Sequence, residues 1–202
     1  MSQSRAERIK LVLFDVDGVL TDGTILLLPA PSGARQTTHS ARKKKADGPG
    51  FGIVSRDIIE AKGFHAHDGT AISLARLGGL KTGVITKRIS ETVALRARDL
   101  KLDHVRQGIQ DKFTVFQEIL AAEHLSAEQV AYVGDDIIDL PVMRRCGLAI
   151  AVANARPEVK RDAHFVTERR GGEGAARDAI EFILKAQGRL ERVFEQYVAG
   201  ER

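Results

Sequence analysis

Cysteine is nearly absent from this chain of 202 residues, tryptophan is missing altogether, and only two tyrosines are present. The lone Cys146 allows no intrachain disulfide and excludes a Cys-rich metal site, so it is read as a small apolar residue of the core. No apolar leader opens the chain and no run is long enough to span a bilayer, which predicts a cytoplasmic protein without membrane association. Nor does either sign of charge dominate. The formal net charge of +4 suits an anionic substrate but is too small to argue for nucleic acid, the more so because the excess is concentrated in one segment.

Apolar residues make up 43% of the chain, enough to close one α/β domain around a full core. Apolar runs at 11–14, 82–85, 130–133 and 148–152 predict strands, and amphipathic stretches at 69–77, 91–100, 112–123, 140–145 and 174–186 predict helices between them. That alternation implies a parallel, Rossmann-like sheet with helices on both faces, in a single domain spanning 1–202. Ligands of such sheets bind at the carboxyl ends of the strands.

The first run ends in Phe14-Asp15-Val16-Asp17-Gly18-Val19-Leu20-Thr21-Asp22. Side chains alternate faces along a strand, but where a strand frays into the Gly18 turn Asp15 and Asp17 can converge on one cation. One carboxylate is then free to attack phosphorus and the other to handle protons. Three more segments follow in order. Val84-Ile85-Thr86 ends a strand in a hydroxyl, Lys112 opens a helix, and Ala131-Tyr132-Val133-Gly134-Asp135-Asp136-Ile137-Ile138-Asp139 ends another strand in carboxylates. Singly, these are unremarked strand ends or helix-capping pairs. Their order and spacing carry the argument.

Together the four segments resemble the motifs of the haloacid dehalogenase-like phosphatases. The strings Asp15 to Gly23 and Tyr132 to Met143 resemble the 3-deoxy-D-manno-octulosonate 8-phosphate (KDO 8-phosphate) phosphatases in particular, from about Lys10 to about Gly188. The resemblance implies a Mg²⁺-dependent phosphatase of a phosphorylated sugar, with Asp15 as nucleophile and Asp17 as acid and base. The metal would be held by the Asp15 carboxylate, the Asp17 backbone carbonyl and Asp135, with Asp136 and Asp139 orienting those ligands. Thr86 and Lys112 would meet the phosphate, and Asp68, Gly69, Arg88 and Arg96 would line the substrate site.

In this family a β-hairpin flap replaces a large cap, and residues 24–66 fit it, with a basic, Pro- and Gly-rich tip at 29–50. The run Arg42-Lys43-Lys44-Lys45 reads either as solvated loop or as a lid for an anionic partner. The resemblance also implies a homotetramer, each flap bordering a neighbour's site. The tail at 189–202 carries Leu190, Val193, Phe194, Tyr197 and Val198 at helical spacing, a packing stripe or a cover for the site.

The chain departs from the family pattern at four places. Lys87 replaces a glycine in Thr86-Lys87-Arg88, while His67, Ser73 and Glu173 stand where the family commonly has arginine. His65 and His67 share strand spacing but lack a third soft ligand, which argues against a transition-metal site. The competing reading is a phosphatase-fold binding or assembly module with weak or no catalysis; the presence of Asp15, Asp17, Lys112 and Asp135 argues against it.

Overall fold

Strand β1 (Leu11–Phe14) is apolar at every position and fully buried, as a strand covered on both faces must be. It is the centre of the molecule in this computed structural model, which describes residues 2–30 and 57–200. In chain order the described elements are α1 (Ser2–Ala6), β1, β2 (Leu26–Pro29), β3 (Ile58–Ala61), α2 (Ala66–Leu77), β4 (Lys81–Ile85), α3 (Glu91–Asp99) and β5 (His104–Arg106). They continue with α4 (Lys112–Glu123), β6 (Val130–Gly134), α5 (Leu140–Met143), β7 (Leu148–Ala151), α6 (Pro157–Asp162), β8 (Phe165–Val166), α7 (Ala175–Ala186) and α8 (Leu190–Val198).

Among the described residues the main sheet has six parallel strands in the order β5-β4-β1-β6-β7-β8. Strand β1 pairs with β4 through Leu11↔Lys81 to Phe14↔Val84 and with β6 through Leu11↔Val130 to Phe14↔Val133. One helix group packs α2 against α7 and α8, the other packs α4 against α5 and α5 against α6, so the sheet is flanked by helices. This is the expected α/β architecture. The order also places the carboxyl ends of β4, β1 and β6 side by side.

The elements missed from sequence are α1, α6 and the edge strands β5 and β8, which are too short to show a period. Helix α2 starts three residues before the expected 69, because the His65 ring Nδ1 accepts the His67 N–H at 3.3 Å and caps the helix. Helix α4 begins at Lys112 as expected: the Asp111 carboxylate accepts the N–H groups of Phe113 and Thr114 at 3.0 and 3.2 Å. Cys146 is buried as expected, and burial pushes its thiol up to about 12. Along α8, Val193 is buried and Leu190, Phe194 and Tyr197 pack on the core as the expected stripe does, but Val198, the last residue of the helix, is 85% exposed and does not belong to it.

Strands β2 and β3 form a separate antiparallel hairpin, register Leu26↔Ala61 to Pro29↔Ile58. Its leucines at 26, 27 and 28 are all about half exposed, because successive side chains face opposite sides and, among the described residues, neither side is fully covered. Most of the expected basic tip, including residues 42–45, lies outside the described residues. No described helix is long and apolar enough to cross a membrane.

Candidate active site

Asp15 directly follows β1, and its N–H continues the ladder to Val133 O at 3.0 Å. The chain then turns tightly, the N–H groups of Val19, Leu20 and Thr21 all donating to Val16 O. Gly18 is required here for two reasons. Its φ of +87° is unfavourable for L side chains, and a Cβ would run into the Asp135 carboxylate arriving from the end of β6. The missing side chain is what lets Asp135 approach the first motif.

Lys112 lies buried between these strand ends. Its Nζ contacts Asp15 Oδ2 at 2.9 Å, Asp139 Oδ1 at 2.7 Å and the Tyr132 hydroxyl at 3.2 Å, which occupies all three ammonium N–H groups. Asp139 is equally engaged. Its Oδ1 also accepts from the Tyr132 hydroxyl at 2.8 Å, and its Oδ2 accepts the N–H groups of Asp135 and Asp136 at 3.0 and 3.3 Å. Asp136 turns its own Oδ1 to the Ile137 N–H at 2.7 Å and caps the short turn 137–139.

Asp135 contrasts with both. Its Oδ1 is buried without a hydrogen-bond partner among the described residues, and its carboxyl is pushed up to about 8 by burial and by the charges of Asp139, Asp15 and Asp136. Asp15 is pushed up to about 7 by burial, a shift that the Lys112 charge only partly offsets. Oxygens of Asp15, Asp135 and Asp139 lie within 4.8 Å of one another, the metal-capable group among the described residues. Each Asp139 oxygen already has two hydrogen-bond partners, whereas each Asp15 oxygen has one and Asp135 Oδ1 has none among the described residues, so Asp15 and Asp135 keep lone pairs that could hold a cation. An orphaned, buried oxygen and an all-oxygen donor set fit a hard divalent ion.

Thr86 closes the third side at the end of β4. It is buried, its N–H donates to Arg106 O at 2.9 Å, and its Oγ1 accepts the Arg88 N–H at 3.4 Å. Asp17 points instead to the root of the hairpin, where it pairs with Lys62. Lys62 also pairs with Glu60 at 2.9 Å, and Arg88 Nη2 reaches Glu60 Oε2 at 2.7 Å. Burial raises the Glu60 carboxyl, but the bonds from Lys62 and Arg88 outweigh it and hold the group low.

Three expected substrate residues sit elsewhere. Asp68 Oδ1 accepts the Arg177 N–H at 3.0 Å and so caps α7, while burial raises its carboxyl. Gly69 gives room to the Arg96 guanidinium, which pairs with Asp99 at 2.5 Å and lies 5.9 Å from the Phe64 ring. Among the described residues no hydrogen bond or ion pair joins these three to the Asp15 cluster. Residues missed from sequence include Tyr132, Lys62, Glu60 and Asn154. Asn154 ties the first motif to the glycine loop, donating from Nδ2 to Gly18 O at 3.0 Å and accepting the Gly171 N–H at 2.6 Å. The Glu60 to Lys62 spacing of two, which puts both on one strand face, was the one local signal available.

Carboxylates at the ends of adjacent parallel strands, with a buried lysine between them, make an acidic cluster that could hold a cation, and similarity to known proteins places the chain among the hydrolases. The family model described as haloacid dehalogenase-like hydrolase matches residues 85–177. KdsC, the 3-deoxy-D-manno-octulosonate 8-phosphate phosphatase of Yersinia pestis, is 36% identical over 93% of this chain and 86% of its own length. The structure of the Moraxella catarrhalis phosphatase of the same name, in complex with magnesium ion, phosphate ion and KDO, superposes with a TM-score of 0.79 at 29% identity, covering 96% of this chain and 97% of that one. The cobalt-bound form of the Haemophilus influenzae phosphatase (YrbI) gives 0.74 at 31%, covering 95% and 99%. The chain belongs to the KDO 8-phosphate phosphatase family of haloacid dehalogenase-like hydrolases. It is a phosphatase, and its substrate class is the sugar phosphates.

Proposed function

We propose that the protein hydrolyses KDO 8-phosphate, or a closely related 2-keto sugar acid phosphate, in a Mg²⁺-dependent reaction through an aspartyl-phosphate on Asp15. The observation that carries this reading is the Asp15, Lys112 and Asp135 arrangement. A carboxylate fixed by Val16 N–H on Oδ1 and by Lys112 on Oδ2 stands beside a second, Asp135, whose Oδ1 has no hydrogen-bond partner among the described residues. Asp15, Asp135 and the Asp17 carbonyl would hold Mg²⁺, which supplies charge neutralisation between the nucleophile and the phosphoryl oxygens.

An Asp15 oxygen attacks phosphorus as the bond from phosphorus to the sugar oxygen breaks, and Asp17 gives its proton to that oxygen. In the second half Asp17 takes a proton from water, whose oxygen attacks the same phosphorus and frees phosphate and Asp15. Dividing one slow displacement into two is the value of the covalent step. Thr86 and the N–H groups near it bind the phosphoryl oxygens, and the Lys112 charge acts on both nucleophile and phosphate. Arg88 contacts the sugar acid.

The half-exposed leucines of the hairpin, with Ile25, Ile58 and Ile59, support association of copies, and a homotetramer is the expected assembly. Light scattering that reports only monomer at micromolar concentration, with full activity, would refute it. The substrate reading is tested by phosphate release from KDO 8-phosphate, other 2-keto acid phosphates and neutral hexose phosphates. Turnover of KDO 8-phosphate is expected, with weakened discrimination against neutral sugars, because His67, Ser73 and Glu173 cannot make the bidentate contact of an arginine to a carboxylate. No turnover of any phosphate would favour a binding module.

A further inference from the structure

The side chain of Lys62 is 0% exposed, and none of the steps above uses it. A buried ammonium is retained only where partner charges hold it, and Lys62 has two: Asp17 Oδ1, and Glu60 Oε1 at 2.9 Å. Arg88 closes the ring, 2.7 Å from Glu60 Oε2 through Nη2 and 3.9 Å from Asp17 Oδ2 through Nε. The ring therefore contains two anions and two cations. Strand β3 delivers Glu60, and Lys62 follows just beyond its end, so the hairpin root itself carries a cation to the catalytic loop.

We propose that Lys62 is a positioning residue for Asp17. By holding Oδ1 it fixes the rotation of the carboxylate and leaves Oδ2 as the oxygen that carries the proton to the departing sugar. Glu60 orients Lys62, and Arg88 anchors Glu60. The inference rests on the reading of Asp17 as general acid, and it makes the placement of the hairpin root part of the proton transfer.

A leaving group that needs no proton separates this role from a structural one. Lys62→Met keeps the apolar stem and removes the charge. In the full-length enzyme with Mg²⁺, its kcat/KM on KDO 8-phosphate, or on the best sugar phosphate of the panel, is expected to fall about 10- to 100-fold. On p-nitrophenyl phosphate, whose nitrophenolate departs unprotonated, the loss should stay within about threefold, since the acid contributes little there. Asp17→Asn, measured alongside, should show the same preference more strongly, and adding Lys62→Met to it should cost nothing further. Lys62→Arg should recover most of the sugar-phosphate rate. If Lys62→Met does not fold, Glu60→Gln should shift the substrate ratio in the same direction by a smaller factor. Equal losses on both substrates, or additive losses in the double variant, would overturn the inference. An Asp17→Asn enzyme that treats the two substrates alike would instead overturn the acid assignment of Asp17.

Discussion

Two buried lysines, Lys112 and Lys62, each lie between two carboxylates, yet the two clusters are electrostatically opposite. At the strand ends Lys112 faces Asp15, Asp139 and the nearby Asp135, so one cation meets three anions. At the hairpin root Lys62 and Arg88 balance Asp17 and Glu60. The first cluster has a charge deficit that a divalent ion would correct; the second is balanced in charge. The first is the cluster with room for a cation and the second the one suited to positioning; burial is the main cause of the raised carboxyls of Asp15 and Asp135, and at Asp135 the charges of Asp139, Asp15 and Asp136 add to it.

The sharpest way to break the contrast is to remove Asp15, the proposed nucleophile. Asp15→Asn is expected to lower kcat by at least about 10⁴-fold while the chain stays folded, read by phosphate release and circular dichroism. Metal-dependent turnover persisting in the purified variant would remove Asp15 from the mechanism. Lys112→Met comes next. It strands Asp15 and Asp139 in a buried setting and should cost roughly 3–5 kcal/mol in urea unfolding without divalent ions. Added Mg²⁺ should return part of that loss, whereas the balanced Lys62 cluster gains nothing from it.

The deficit also predicts a pH dependence. Asp15 and Asp135 titrate at about 7 and about 8, above their ordinary 3.8, because burial disfavours the charge. A divalent ion needs both groups ionised and competes with their protons. Affinity for Mg²⁺ should therefore climb with pH, up to about tenfold per unit for each proton displaced, and level off above the higher value. In the cation-free chain the sign is reversed. The folded state keeps protons that the unfolded state has released, so stability falls as pH rises from 3.8 towards about 8. Calorimetric Mg²⁺ titrations and thermal melts between about pH 6 and pH 9 check both trends. The smallest effect is Tyr132→Phe. Losing one neutral acceptor for Lys112 and one donor to Asp139 should cost about 1 kcal/mol and less than about tenfold in kcat. A larger loss would make the hydroxyl essential to the Lys112 cluster.

The four inner strands of the sheet, most of the helices and the main cluster were legible from sequence, because each leaves a local signal in apolar runs and at their ends. Asp15, Thr86, Lys112, Asp135 and Asp139 all sit where an apolar run stops or a helix starts. Tyr132 was not legible, since a tyrosine inside an apolar strand looks like core until its hydroxyl is seen against Lys112. Lys62 and Glu60 were obscured because the hairpin's register brings them to Asp17 across a long intervening segment. Asp68 was expected to line the substrate site, and its Oδ1 accepts the Arg177 N–H at the start of α7. Its neighbour is set by the packing of α2 on α7, two helices about a hundred residues apart in sequence, and nothing local to either helix records that meeting.

The central place of β1 bears on how the chain must be made. Translation delivers residues 11–14 first, but their partners begin only at Lys81 and Val130. Until the ribosome has passed Gly134, the most apolar strand of the molecule has at least one edge of unpaired backbone groups, a template for pairing with other chains. Asp15 is synthesised before the strands that surround it and acquires its surroundings late. A nascent or truncated chain that stops before Gly134 carries Asp15 in water, without the burial that sets its chemistry.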